Sequence, residues 1–195
     1  MHNTKKLILA SCSPRRRELI KLLNMPFECI NVDADESTKQ TDPAEAVKEI
    51  AMSKARAAQA ARKISFDEVI IGADTVVVFD GKLLGKPYDD TDAENMLRML
   101  SGQTHYVYTG VALIYSDFNN KIVELSFAEK TEVHFAEISL DDIKKYIATG
   151  NHRDKAGSYA IQDEFSVHIN GINGDYNNVV GFPVARIYKE LKLLF

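Results

Sequence analysis

The chain alternates between short continuous apolar runs and longer stretches in which apolar residues recur every three or four positions. Apolar runs bounded by turn residues predict buried strands, whereas the three- and four-residue spacing predicts amphipathic helices. Strands are predicted at residues 6–10, 27–32, 68–79, 82–85, 106–115, 121–136, 159–162 and 166–169. Helices are predicted at about 14–23, 43–63, 91–101 and 139–150, and a last helix begins at Pro183. This mixture of βα units and hairpins predicts an α/β fold with a mixed central β-sheet.

Local signals predict where these elements start and turn. Helix N-caps are predicted at Ser13, which precedes a proline, and at Asp42 and Thr91, which each stand three residues before a glutamate. The pair Asp80-Gly81 lies between two apolar runs and predicts a two-residue hairpin turn. Residues 171–178 are predicted to form a polar, glycine-containing loop.

Length and composition exclude several classes of function. A chain of 195 residues with 45% hydrophobic residues suits a single domain, residues 1–195, with a sizeable core. The net charge of −4 argues against nucleic acid or anionic lipid as partner, so any phosphate binding must be local. No apolar run has the length of a membrane span, and the N-terminus has no signal-peptide pattern. The two cysteines have no metal or redox spacing, which suits a cytoplasmic location.

The stretch "LILASCSPRRRELI" places small hydroxyl residues and three arginines at a predicted helix start. With Ser13 as N-cap, Arg15 and Arg16 lie in the first turn, where cations oppose the helix dipole. A phosphate bound there would meet free backbone N–H groups, guanidinium groups and the hydroxyls of Ser11 and Ser13. The alternative is that the arginines simply point into water, and this stretch alone does not decide between the two.

Two charged residues interrupt apolar surroundings. Lys54 falls within the apolar stripe of its helix. It is either a lysine whose ammonium reaches solvent past small neighbours or a cation directed at a polyanion. Asp74 lies inside the apolar strand "VIIGADTVVVF", where a carboxylate is costly unless it is paired or binds a metal. A structural ion pair is the alternative for Asp74, but the functional interpretation is favoured.

Three weaker signals surround these two. A two-residue turn would bring Lys86 back to the level of Asp74, opposite Thr75, unless the strand ends earlier or bulges. Glu36 closes an acidic loop and, with Asp74, offers two oxygen ligands for Mg²⁺ or Mn²⁺. Gln162 could read a base edge because its amide both donates and accepts, although a glutamine in water at a strand end explains the same spacing.

These residues belong to blocks that resemble the Maf family of nucleoside triphosphate pyrophosphatases along nearly the whole chain. The blocks are "SCSPRRREL", "SKARA", "GADTVV", "GKP", "SGQTHYVYTGV", "AGSYAIQ" and "INGDYNNVVGFPV". The last two are similar to the branch that prefers dTTP and UTP. Two residues depart from the family pattern: Phe182 replaces a usual leucine, and Asp163 replaces a usual glycine, adding charge beside the expected base pocket.

The resemblance implies an elongated mixed sheet flanked by helices, and two lobes with a cleft between them, as in inosine triphosphatases. It implies hydrolysis of a nucleoside triphosphate to the monophosphate and pyrophosphate with a divalent cation, Mg²⁺ or Mn²⁺. The matching positions are Asp74 as catalytic aspartate with Lys54, Lys86 and Glu36, and Ser11, Ser13, Arg15, Arg16, Thr75 and Gln162 for the substrate. Glu36 and Asp74 are the expected metal ligands.

The resemblance leaves alternatives open. The substrates would be dTTP, UTP and modified pyrimidine nucleotides, in cleansing of nucleotide pools with a link to cell-division arrest. The same chemistry could act on 7-methyl-GTP or another modified nucleotide. A non-catalytic nucleotide-binding regulator of division is a third hypothesis. The oligomeric state does not follow from the sequence, and the resemblance suggests a homodimer.

Overall fold

The computed structural model describes residues 5–62 and 64–194, which form an α/β structure. The strands are β1 (Lys6–Ala10), β2 (Phe27–Ile30), β3 (Glu68–Phe79), β4 (Lys82–Leu84), β5 (Thr104–Ser116), β6 (Ile122–Phe135) and β7 (Ile169–Asn173). The helices are α1 (Pro14–Ile20), α2 (Pro43–Ala61), α3 (Asp90–Leu100), α4 (Leu140–Ala148), α5 (Tyr176–Val180) and α6 (Val184–Leu193). Three 3₁₀ turns lie at Lys21–Leu23, Ala156–Ser158 and Glu164–His168. Within the described part of the chain, no helix has the length and apolar character needed to cross a membrane.

The strands form one mixed sheet in the order β2-β1-β3-β5-β6-β7, with β4 paired to β3. β1 is parallel to both β2 and β3, so that Leu7 lies between Phe27 and Val69. β3 and β4 are antiparallel, as are β6 and β7. The mixed sheet with helices confirms the predicted fold class.

The chain divides into two compact units. The first takes the described residues within 1–74, 109–129 and 181–195, and the second takes 75–108 and 130–180. The long strands β3, β5 and β6 contribute residues to both, and the peptide from Asp74 to Thr75 is one of the boundaries. The single domain over residues 1–195 and the cleft between two lobes stay predictions.

The first unit has helices on both faces of its strands. Successive residues of a strand point to opposite faces, and most residues of β1 and β3 are buried on both faces. This burial explains the continuous apolar runs of the two strands. On one face, Leu7 and Leu9 belong to the same apolar cluster as Ile20 of α1 and Ile187 of α6. On the other face, Ile8 and its neighbours pack with the buried alanines of α2, Ala51, Ala55 and Ala58.

Two glycines allow α2 to lie very close to the sheet. A Cβ atom on Gly72 of β3 would collide with the backbone oxygen of Ala51, and one on Gly110 of β5 would collide with the backbone of Val47. A side chain at either position would therefore force the helix away from the strands. The alanine stripe of α2 and these two glycines together set how near Lys54 comes to Asp74.

The core of the second unit is rich in aromatic rings. Phe165 packs within 4.8–5.5 Å, between ring centroids, of Phe135, Tyr146, Tyr159 and His168. Apolar residues of α3 and α4 complete this cluster. The rings therefore attach α4 and the segment around Tyr159, which lie outside the strand ladders, to β6.

Most predicted starts and turns are confirmed. Ser13 caps α1 and accepts a hydrogen bond from the backbone N–H of Arg16, at 3.4 Å. Asp42 caps α2, and its carboxylate accepts from the N–H of Glu45 at 2.9 Å. Asp80 and Gly81 both adopt positive φ, 48° and 72°, as a two-residue hairpin turn requires. The predicted end of α2 at position 63 lies outside the described residues.

Three local predictions are wrong. The N-cap of α3 is Asp89, whose carboxylate accepts from the N–H of Asp92, so Thr91 already lies inside the helix. Residues 159–162 form no strand, and residues 166–168 form a 3₁₀ turn that precedes β7. The predicted loop at 171–178 instead contains the end of β7 and the start of α5.

Candidate active site

Lys54, Asp74 and Glu36 meet in the first unit. The ammonium of Lys54 donates to Oδ1 of Asp74 at 2.7 Å and lies 3.1 Å from Oε1 of Glu36. The side chains of Lys54 and Asp74 are only 11% and 16% exposed, whereas that of Glu36 is 54% exposed. Helix α2, strand β3 and the loop after β2 each supply one of these residues. A cation with two carboxylates therefore stands at the edge of the core.

The pairing of Lys54 with Asp74 explains how a charged residue is tolerated inside β3. Removing Lys54 would take away the cation that donates to this largely buried carboxylate, which is more costly than leaving the pair intact. Gly72, two residues before Asp74, adds no side chain against α2, so the helix can bring its lysine within hydrogen-bonding distance.

Arg16 belongs to the same electrostatic neighbourhood. Its Nε atom donates to the backbone oxygen of Gly181 at 2.9 Å. Burial lowers the pKa of Arg16, and the negative charges of Asp74 and Glu36 act in the opposite direction. The guanidinium group is therefore held by the fold near the two carboxylates, and the alternative that all three arginines point into water does not hold for Arg16.

The start of α1 is built from side-chain hydrogen bonds to its own backbone. Ser11 Oγ accepts from the N–H of Ser13 at 3.1 Å, and Ser13 Oγ accepts from the N–H of Arg16. Arg15 and Arg16 are half-buried, whereas Arg17 is exposed. No acidic residue lies in the first turn. Positive charge and two hydroxyls are thus concentrated there, and the phosphate cradle stays a prediction.

Thr75, Lys86 and Gln162 lie in the second unit. Thr75 is half-buried and directly follows Asp74, while Lys86 and Gln162 are exposed. The β3–β4 ladder ends where Val77 pairs with Leu84, so the antiparallel register does not continue to Lys86 and Thr75. Of the two outcomes that the sequence left open, the strand end is the one observed.

The loop of Lys86 and the segment that leads to Gln162 are joined by a backbone hydrogen bond. The N–H of Gly157 donates to the oxygen of Gly85 at 3.0 Å. Gly157 has φ +66°, and a Cβ there would collide with Val77. Glycine is therefore required at this position both by its backbone conformation and by close packing.

Asp163 and Tyr146 form a contact that the sequence interpretation missed. The hydroxyl of Tyr146 donates to Oδ2 of Asp163 at 3.1 Å, and the N–H of Phe165 donates to Oδ1 at 3.0 Å. The carboxylate of Asp163 was expected to add charge beside a base pocket, but it is occupied by these donors and lies 3.7 Å from the ammonium of Lys155. The position of Asp163 before a helical turn was the available signal, because aspartate is a preferred N-cap.

Glu36 and Asp74 are the residues here that could hold a metal ion. Within residues 5–62 and 64–194, no group of three or more His, Cys, Asp or Glu residues could enclose one. Mg²⁺ commonly takes only one or two protein carboxylates and completes its shell with water and substrate phosphates. The two carboxylates therefore fit a cation shared with a phosphorylated substrate better than a cation bound by protein alone.

The similarity to known proteins extends over nearly the whole chain. A dTTP/UTP pyrophosphatase of Agathobacter rectalis is 43% identical over 200 residues, which cover 97% of each chain. A dTTP/UTP pyrophosphatase of Bacillus cytotoxicus is 45% identical over 189 residues, covering 96% of this chain and 95% of the relative.

Two solved structures share the fold at low sequence identity. The Ham1 protein of Staphylococcus aureus has a TM-score of 0.57 at 14% identity, covering 96% of this chain and 98% of that one. A HAM1 protein of Coxiella burnetii has a TM-score of 0.52 at 17% identity, covering 97% and 99%. The family model described as "Maf-like protein" matches residues 6–194. The chain therefore belongs to the Maf family.

Proposed function

We propose that this protein hydrolyses dTTP and UTP, and modified pyrimidine triphosphates, to the monophosphate and pyrophosphate. The observation that carries the proposal is the full-length similarity to relatives named dTTP/UTP pyrophosphatase, 43% and 45% identical. A shared fold would not suffice, because one fold supports many functions. The buried group of Lys54, Asp74 and Glu36 supports the proposal with residues of this chain.

The positive charges of the first unit are proposed to bind the phosphate chain. Arg15 and Arg16, with the hydroxyls of Ser11 and Ser13, would hold phosphate oxygens, and Lys54 would stabilise charge that develops during transfer. Arg16 supports this role because it is already held by Gly181 and needs little reorganisation to bind. Lys86 of the second unit is proposed as a further phosphate contact on the basis of the family motif.

In the proposed reaction, water attacks the α-phosphorus, the bond to the oxygen bridging the α- and β-phosphates breaks, and pyrophosphate leaves. Asp74 is proposed either to accept the proton of that water or to ligate the metal ion. Its ion pair with Lys54 supports both roles, because the contact holds the carboxylate in one place.

A divalent cation, Mg²⁺ or Mn²⁺, is proposed to take part, since nucleotide pyrophosphatases usually depend on a metal. When bound, the ion supplies charge neutralisation on the phosphates. Glu36 and Asp74 are the residues proposed to hold it, and Lys54 keeps their two carboxylates close together.

Thr75 and Gln162 are proposed to read the pyrimidine base.

We also propose a cytoplasmic location, supported by two cysteines that are both free, and a homodimer as the assembly. The physiological role proposed is cleansing of the nucleotide pool, with a link to division arrest.

The test is pyrophosphate release from a panel of canonical and modified nucleoside triphosphates with Mg²⁺, with Mn²⁺ and with a chelator. Metal-dependent release from dTTP and UTP by the wild type, lost in Asp74→Asn and kept in Asp141→Asn on the surface of α4, is the expected result. Preferred turnover of 7-methyl-GTP would replace the substrate assignment. Tight triphosphate binding without any release would instead favour the non-catalytic regulator.

A further inference from the structure

The ammonium of Lys54 contacts both carboxylates that are proposed to hold the divalent cation. Its Nζ atom lies 2.7 Å from Oδ1 of Asp74 and 3.1 Å from Oε1 of Glu36. One positive charge is thus shared by the two side chains that a doubly charged ion would also need. The position of Lys54 therefore bears on how strongly this site can hold a metal ion.

A lysine at this place could act in two opposite ways. It could hold the two carboxylates together, so that its removal would let them part and would weaken metal binding. It could instead oppose the metal, because any cation that ligates Asp74 or Glu36 lies within a few ångströms of the ammonium. The side chains of Lys54 and Asp74 are largely buried, so repulsion between like charges is only weakly screened there.

Neither carboxylate depends on Lys54 alone for its place. Asp74 lies inside β3, and its side chain is largely buried. Glu36 lies in the loop that joins β2 to α2. Two residues later in this loop, Oγ1 of Thr38 donates to Oε2 of Glu49, on α2, at 2.5 Å. The fold therefore retains Glu36 near Asp74 when the lysine charge is removed, and the repulsive effect of the ammonium should dominate.

A triphosphate offers Lys54 a different set of partners. Its phosphate oxygens carry several negative charges, and an ammonium group binds them as a compact charge with three N–H donors. The stem of lysine is flexible, and the neighbours of Lys54 on this face of α2 are the small residues Ala51, Ala55 and Ala58. The ammonium can therefore change partners while the helix stays in place.

We propose that Lys54 makes metal binding depend on the triphosphate: its ammonium opposes a divalent cation at Glu36 and Asp74 until phosphate oxygens take the ammonium over. The inference rests on the proposed function, which supplies both the triphosphate and the cation. Lys54 thus weakens binding of the metal ion alone. Metal and triphosphate then each tighten the binding of the other, by the same factor.

The experiment measures the Kd of Mn²⁺ without nucleotide, from the electron paramagnetic resonance signal of the unbound ion. Lys54→Met and Lys54→Gln should bind Mn²⁺ at least about tenfold more tightly than the wild type, because each removes the opposing charge. Lys54→Arg keeps the charge and should bind as weakly as the wild type. Lys48→Met, which removes a lysine elsewhere on α2, is the matched control and should leave the Kd unchanged. Adding Asp74→Asn to Lys54→Met should remove the gain, which assigns it to this site.

A dTTP analogue with an imido group between the α- and β-phosphates supplies the second part of the test. The factor by which it tightens Mn²⁺ binding should be at least about fivefold larger for the wild type than for the two neutral variants. The complex that Mn²⁺ forms with the analogue in solution is the same in each case, so the difference belongs to the protein.

Equal or weaker Mn²⁺ binding by the neutral variants, with circular dichroism spectra like that of the wild type, would overturn the inference and make Lys54 an organiser of the carboxylates. Equal tightening by the analogue in the wild type and the neutral variants would overturn it as well. In both cases the proposed function stands if the wild type releases pyrophosphate from dTTP. Absence of release from any triphosphate by the wild type would instead overturn the proposed function, and this inference with it.

Discussion

The Nζ atom of Lys54 lies 2.7 Å from Oδ1 of Asp74, and both side chains are more than four-fifths buried. Helix α2 therefore donates a charge-assisted hydrogen bond to strand β3, across an interface otherwise made of alanine and aliphatic side chains. Such a bond is roughly twice as strong as a neutral one, and it holds the carboxylate in one place. The substitutions Asp74→Asn and Lys54→Met should consequently have different effects.

Asp74→Asn should abolish turnover and leave the fold intact. The amide keeps an oxygen that can accept from Lys54, but it loses the charge and basicity required by either proposed role of Asp74. We expect kcat to fall at least about 10³-fold, in the range found for groups that act directly on the reacting atoms. Pyrophosphate release under saturating dTTP measures this, and turnover within tenfold of the wild type would contradict both roles.

Lys54→Met should reduce both activity and stability. It removes the cation that contacts both Glu36 and the largely buried Asp74, which should lower the free energy of unfolding by about 2–3 kcal/mol. The comparable substitution Lys48→Met, also on α2, removes a lysine whose salt bridge is to a surface glutamate and should change stability by less than about 0.5 kcal/mol. Urea denaturation of the two variants provides the comparison, and equal losses would show that burial of the Lys54 pair has no special effect.

Gly72→Ala should separate the helix that carries Lys54 from the strand that carries Asp74. The new methyl group would collide with backbone atoms of α2, which cannot rotate away as a side chain could. We expect a loss of about 2–3 kcal/mol in stability from such overpacking, together with a fall in kcat. Gly171→Ala is the control, because a Cβ there meets nothing within 4 Å. Similar losses in the two variants would exclude close packing as the reason for glycine at position 72.

The sequence was sufficient for several elements in which a local or periodic signal decides the structure. The bounds of β1 and β3, the N-caps Ser13 and Asp42 and the turn at Asp80 follow from apolar runs and from residues that bond to the adjacent backbone. The unusual burial of Lys54 was also visible, because the lysine interrupts an apolar stripe.

The segment around Tyr159 could not be predicted in this way. Its alternating apolar residues are typical of a strand, but their burial comes from rings that other elements bring to them: His105 from β5, Phe135 from β6 and Tyr146 from α4. The partner of Lys54 was likewise undetermined, because the contact depends on how closely two glycines let a helix approach the sheet. Both features arise from tertiary packing that no local pattern contains.

The corrected start of α3 gives a prediction of its own. Asp89→Ala removes the carboxylate that accepts from the N–H of Asp92, so the free energy of unfolding should fall by about 1 kcal/mol. Thr91→Ala changes a residue already within the first turn and should alter stability by no more than about 0.5 kcal/mol. Thermal denaturation of both variants at pH 7 distinguishes the two caps. A larger loss of stability for Thr91→Ala would instead support Thr91 as the N-cap that the sequence suggested.

His105 should make the protein sensitive to acid. Burial, with a smaller contribution from the charge of His134, lowers the pKa of His105 from 6.5 to about 3. The hydroxyl of Tyr159 is hydrogen-bonded to Nε2, and burial raises the pKa of that phenol, so the folded state contains a neutral pair. Between pH 6.5 and about 3 the unfolded chain therefore binds a proton at position 105 that the folded chain does not.

Because the unfolded state binds the extra proton, stability must rise with pH across that window, by at most about 1.4 kcal/mol per pH unit from this residue. Above about pH 7 the imidazole is neutral in both states and contributes no pH dependence. His105→Gln should remove this part of the slope and leave the part due to carboxyl groups. Urea unfolding of the wild type and the variant at pH 4.5, 5.5 and 7.5 measures how the free energy of unfolding of each depends on pH. Between pH 4.5 and 5.5, the two slopes should differ by the equivalent of nearly one bound proton. Identical slopes would mean that His105 becomes protonated without unfolding, and that the aromatic core around Tyr159 can open to admit the charge.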